Sequence, residues 1–143
     1  MRDAFHTRLH HVGPAGLSGD TAQSSGMRRF EAISGRTVGS EALWMGQTHV
    51  AAGAASANHH HGESETAIYV VSGRPEFVFL DEDGTETRLV TQAGDYVFVP
   101  PWVPHREENP DPDGEAVVVI ARTTQEAIVV NLPDLARPTQ AGG

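Results

Sequence analysis

Residues 53–73 read GAASANHHHGESETAIYVVSG, and the fold turns on how this stretch is taken. His59, His60 and His61 stand together, Glu63 and Glu65 follow, and a β-branched run comes next. On a strand, successive side chains point to opposite faces. His59 and His61 then share one face, and His60 takes the other. Two residues advance a strand by roughly 6.6 Å, a span that two imidazoles can close onto one ion. A lone His-x-His is a weak signal, and it needs a partner elsewhere in the chain.

That partner lies in residues 94–109, GDYVFVPPWVPHREEN. An apolar strand beginning near Tyr96 runs into Pro100, Pro101 and Pro104, whose rings stiffen the backbone. The stiffened segment presents one imidazole, His105. In a small barrel two such strands can aim side chains at a common interior point.

Outside these stretches, AIYVVSG, EFVFL, TRLVT, DYVFVPP, EAVVVIAR and AIVVNL are short β-branched and aromatic segments. The earlier GSEALWMGQTHVAAG reads the same way, with Gly, Pro, Asp and Asn between segments. Asp83-Gly84 within DEDGT supplies the positive φ of a hairpin turn. With no amphipathic helical stretch between the strands, the pattern points to an all-β sandwich or small antiparallel barrel. Residues 1–26 lack periodicity and are expected to be a loosely ordered arm. Residues 27–135 form the β-domain and 136–143 a tail. His6, His10 and His11 fall in the arm and are expected to be exposed.

The two histidine stretches resemble the paired motifs of the cupin superfamily. The first motif, G-x5-H-x-H-x3/4-E-x6-G, is met by Gly53, His59, His61, Glu65 and Gly73. The second, G-x5-P-x-G-x2-H-x3-N, is met by Gly94, Pro100, His105 and Asn109, with Trp102 where the family has glycine. The resemblance spans residues from 40 to 132 and implies a single cupin, a double-sheet antiparallel jelly roll. It also implies one divalent transition metal per chain held by His59, His61, Glu65 and His105. Fe(II) is favoured, with Mn, Ni, Cu or Zn also compatible with nitrogen-rich donors. Counting back from Gly73, however, the family's glutamate falls on Thr66, so Glu65 serves only if the strand carries an extra residue. Some cupin oxygenases use three histidines alone.

Glu107 shares strand parity with His105; a solvated carboxylate in REEN is its simpler reading, and at the pocket rim it is the candidate acid/base or the orienter of a ligand histidine. Tyr69, Phe77, Phe79, Tyr96 and Phe98 are expected in the core. The pocket's far wall comes either from Met45, Gln47 and His49 or from Trp44, Thr48 and Val50, a register that the sequence leaves open. Arg74 follows a turn glycine and is expected to be exposed.

The resemblance implies an oxygenase-like enzyme acting on a small organic molecule. A non-redox isomerase, lyase or decarboxylase is the alternative, and a non-catalytic binding or sensing module is another. The formal charge of −9 and the lack of a basic run argue against nucleic acid. The chain has no cysteine, so thiolate ligands and disulfides are excluded. No segment has the length and apolarity of a membrane span, and a cytoplasmic homodimer is expected.

Overall fold

The structure, a computed structural model, describes residues 4–136. Its strands are β1 (Met27–Ile33), β2 (Trp44–Val50), β3 (His59–His60), β4 (Thr66–Ser72) and β5 (Glu76–Leu80). They continue as β6 (Glu86–Val90), β7 (Tyr96–Val99), β8 (His105–Glu108), β9 (Ala116–Arg122) and β10 (Val130–Asn131). One five-stranded sheet has the order β1-β2-β9-β4-β7 and the other β10-β3-β8-β5-β6. Every pairing is antiparallel, although only β1–β2 and β5–β6 join strands successive in the chain.

Alternation decides what lies between the sheets. On β2, Trp44, Thr48 and Val50 are buried, so that face points inward. Met45, Gln47 and His49 turn the other way. On β4 the inward set is Thr66, Ile68 and Val70, and on β9 it begins with Ala116 and Val118. Ile68, Val70, Phe77, Val99 and Val118 pack as one apolar cluster, and Met27, Val50 and Ala116 as a second. Fully burying such an aliphatic side chain stabilises the fold by about 1.5–3 kcal/mol.

The expected aromatic core is only partly realised. Phe77 is buried, but Tyr69, Tyr96 and Phe98 are exposed, Tyr96 by 80%. The physical reason is parity. Tyr69 sits between inward Ile68 and Val70, and Tyr96 and Phe98 alternate with Val97 and Val99. The rings therefore stand on the outer face, where those of Tyr69 and Tyr96 lie 4.9 Å apart.

Turns close where the backbone permits. Gly84 has φ 85° in the β5–β6 hairpin, and its N–H donates to the Asp81 carbonyl. Gly73 (φ 83°) lies so close to Ala116 that any Cβ would collide with it. Asn109, fully buried, donates its amide hydrogens to the carbonyls of Val50, Ala51 and Gly114. This one side chain fastens the end of β8 to the end of β2.

The segment before β1 is fastened to the domain. Ser18 pairs with Glu31, and Gln23 bonds both the N–H and the carbonyl of Arg29. His6, His10 and His11 are exposed, as is Arg74.

Candidate metal centre

Strand pairing brings the histidines together. His59 on β3 lies opposite His105 on β8, and His61 follows one residue beyond β3. The ring centroids are separated by 4.4 Å (His59–His105), 4.8 Å (His59–His61) and 5.0 Å (His61–His105). One ring nitrogen from each lies within 4.8 Å of the others.

The backbone sets the tautomer of all three. His59 Nδ1 is 2.7 Å from the Ala57 carbonyl, His61 Nδ1 2.8 Å from that of Ile128, and His105 Nδ1 2.9 Å from that of Val103. A carbonyl can only accept, so each Nδ1 carries the hydrogen and each Nε2 keeps a lone pair. Such outer hydrogen bonds orient imidazoles for metal binding. Burial pushes the imidazole pKa values down, to about 4 for His61 and about 3 for His105, and lowers that of His59. The charge on His59 also lowers that of His105. Three neutral, aligned nitrogens therefore face one point at neutral pH. That donor set fits a divalent transition ion.

His60 turns away from the cluster as alternation requires, yet it is buried and not solvated. Its Nδ1 accepts the Gly62 N–H at 2.9 Å, and the Trp102 ring stands 5.7 Å away. Trp102 itself holds φ 70°, the conformation for which the family's glycine is suited, and its N–H donates to the Gly62 carbonyl at 2.8 Å. The ring thus packs on the far side of the histidine segment.

Glu65 is not brought to the cluster. It is exposed, and its backbone N–H and carbonyl bond Thr123 immediately before β4 begins. Thr66 occupies the inward position instead, 5% exposed. No extra residue rescues the register, so the one-residue offset leaves Glu65 on the outer face.

The imidazoles line a cavity of about 540 Å3 whose wall also includes Arg29, Trp44, Thr66, Ile68, Glu107 and Arg122. Glu107 is an interior group: Oε1 is sealed from solvent and has no hydrogen-bond partner. Burial pushes its pKa up to about 7, against the smaller opposing pull of the Arg29 charge. Its backbone N–H donates to Ser56 Oγ at 2.9 Å, which ties β8 to the strand-like approach into β3.

A family model described as the cupin domain matches residues 46–121, more than half of the chain. The chain belongs to the cupin family. No match to a curated protein was found. Among solved structures this cupin resembles a single-site mutant of Bacillus subtilis oxalate decarboxylase, with TM-score 0.67 and 24% identity. That alignment covers 79% of this chain and 30% of the other. A second structure of Bacillus subtilis oxalate decarboxylase, described for its Mn(II) centres, matches at 24% identity and TM-score 0.67, over 78% and 29% of the two chains. Recombinant oxalate oxidase in complex with glycolate matches at 21% identity and TM-score 0.66, over 81% and 60%. The chain spans under a third of the decarboxylase and three fifths of the oxidase, and at these identities the likeness concerns the fold.

Two arginines of the cavity were not foreseen from the sequence. Arg122 was detectable by parity, because it continues the inward series Ala116, Val118, Ile120 on β9. Arg29 had no such signal, as the apolar residues of β1 (Met27, Phe30, Ala32 and Ile33) fall on both faces and do not betray the inward one.

Proposed function

We propose that this cupin is a mononuclear metal-dependent enzyme that moves a proton on a small organic molecule. His59, His61 and His105 hold the ion and Glu107 is the acid/base. The observation that carries this reading is Glu107 Oε1, buried and unpartnered in the cavity that the three Nε2 atoms face. An unsatisfied buried carboxylate oxygen costs stability, a cost tolerated where function uses the group.

The bound ion would supply a Lewis acid able to polarise a substrate oxygen. Glu107, with a pKa of about 7, can both accept and return a proton at neutral pH. Ile68, Phe77 and Ile120 line the same cavity with hydrocarbon and limit water around the carboxyl. Fe(II), Mn(II), Ni(II), Cu(II) and Zn(II) all accept three imidazoles, and the ion is identified by assay.

An oxygenase is the second reading, favoured by the three-nitrogen set that results when Glu65 turns outward. The two separate cleanly on a panel of small organic molecules. Turnover that persists without oxygen and with Zn(II) or Mn(II), and falls at least about 100-fold in Glu107→Gln with unchanged metal content, supports proton transfer. Activity that requires both Fe(II) and stoichiometric oxygen uptake overturns it in favour of the oxygenase.

Pairing of two copies is part of the proposal. The outer-face patch of Tyr69, Val71, Tyr96 and Phe98, all exposed, supports a homodimer through the first sheet.

A further inference from the structure

We infer that the substrate is a small organic anion, its carboxylate held by Arg29 and Arg122 beside the histidine cluster. The inference rests on the enzyme reading above for the word substrate, but the anion site stands on its own observations. Both arginines line the cavity. Among the described residues neither has a carboxylate within ion-pair distance, whereas Arg28, Arg36, Arg88 and Arg106 all do. Arg8 and Arg74 show no such pair either, but both are exposed, so Arg29 and Arg122 are the arginines without one that line the cavity.

Their existing contacts hold them without neutralising them. Arg29 Nη1 donates to Ser24 Oγ at 2.8 Å, and Nη2 is 3.8 Å from Met27 Sδ. Arg122 donates Nε to the Thr124 carbonyl at 3.0 Å and Nη2 to that of Gln125 at 2.8 Å. Its guanidinium carbon stands 3.9 Å from the centre of the Trp44 ring. Trp44 is fixed in turn by its indole N–H, which donates to Glu31 Oε1 at 2.9 Å, and Glu31 is tied to Arg36 at 2.7 Å. Each guanidinium keeps N–H donors uncommitted, and the fork geometry suits a carboxylate.

The charges are unbalanced. The two guanidiniums repel each other, Glu107 offers at most one negative charge against them, and Glu31, whose charge also acts on Arg122, is already paired with Arg36. A bound divalent cation would add to the excess. A ligand bringing negative charge removes this repulsion, and the overall charge of −9 does not, because it lies elsewhere on the surface. The aliphatic walls at Ile68, Ile120 and Ile128 favour an anion built on a carbon skeleton over a bare oxyanion.

The test is calorimetric titration of metal-loaded protein with malonate, succinate, their neutral diamides and inorganic phosphate. Expected are saturable binding of a dicarboxylate and at least roughly tenfold weaker binding of its diamide. Arg29→Gln and Arg122→Gln should each weaken the carboxylate roughly tenfold or more, with metal content unchanged. Arg29→Lys and Arg122→Lys, which keep the charge, should fall between. Diamides or phosphate binding as tightly as the dicarboxylates, no binding of any carboxylate, or affinities indifferent to both arginines would overturn the inference. Repeating the titration on metal-stripped protein separates the two proposals. Arginine-dependent anion binding by a protein that never takes up metal leaves this one standing and removes the metal centre. Metal uptake without arginine-dependent binding does the reverse.

Discussion

His59 and His105 face each other across the β3–β8 ladder with ring centroids 4.4 Å apart, each Nδ1 tied to a carbonyl two residues before it in the chain. The same local device on two strands fixes both rings without help from any other side chain. The cluster is therefore preorganised by backbone alone, and its properties should be separable from those of the surrounding carboxylates.

Glu65 is the first case. Because it lies on the outer face and Thr66 on the inner, Glu65→Gln should leave metal stoichiometry and affinity unchanged. Thr66→Glu should raise metal affinity by placing a carboxylate at the inward position. Elemental analysis and competitive chelator titration check both.

Stability against pH follows from the depressed imidazoles. His61 and His105 have folded-state pKa values of about 4 and about 3, below the ordinary 6.5 of the unfolded chain. As pH falls, the unfolded state thus binds protons first. The contribution is fully present above pH 6.5 and is lost as pH falls from there towards 4 and below. Across that window each site loses at most about 1.4 kcal/mol per pH unit. Glu107, raised to about 7, takes its proton first in the folded state and offsets one imidazole down to about pH 4.5. Metal-free protein should therefore show a falling midpoint in urea that steepens below that pH. His105→Ala should flatten the slope.

Asn109 should behave as a structural clasp. Asn109→Ala removes the donor that the carbonyls of Val50, Ala51 and Gly114 share, and the bond to Val50 is a buried one. A loss of about 2–4 kcal/mol is expected by chemical denaturation, given several hydrogen bonds removed at a fully buried site. Asn109→Asp, which keeps the shape but not the donors, should be nearly as costly.

The clustering of the three histidines was legible because it depends on two short-range rules, alternation along a strand and fixed motif spacing. Those rules put His59 and His61 on one face and His60 on the other, and they marked Thr66 as the position Glu65 had to displace. The Asp83-Gly84 turn was legible for the same reason. What did not show was which face of a doubly apolar strand is inward. In AIYVVSG, Ile68 and Val70 alternate with Tyr69 and Val71, and hydrophobicity alone cannot choose between them. Phe77 is buried as expected, but Tyr69, Tyr96 and Phe98 are exposed and mark the outer face. The carbonyls that orient the imidazoles, and the paths that bring Arg29 and Arg122 into one cavity, are products of tertiary packing with no local signature.

The central claim is that three imidazoles, and no fourth histidine, hold one ion. Metal content of wild-type protein, His105→Ala and His60→Ala after identical reconstitution tests it most directly, with circular dichroism to confirm folding. The expected result is about one ion per chain in wild type and in His60→Ala, and a loss of most bound metal in His105→Ala. Equal losses in the two variants, or a wild-type protein that stays empty, would contradict it.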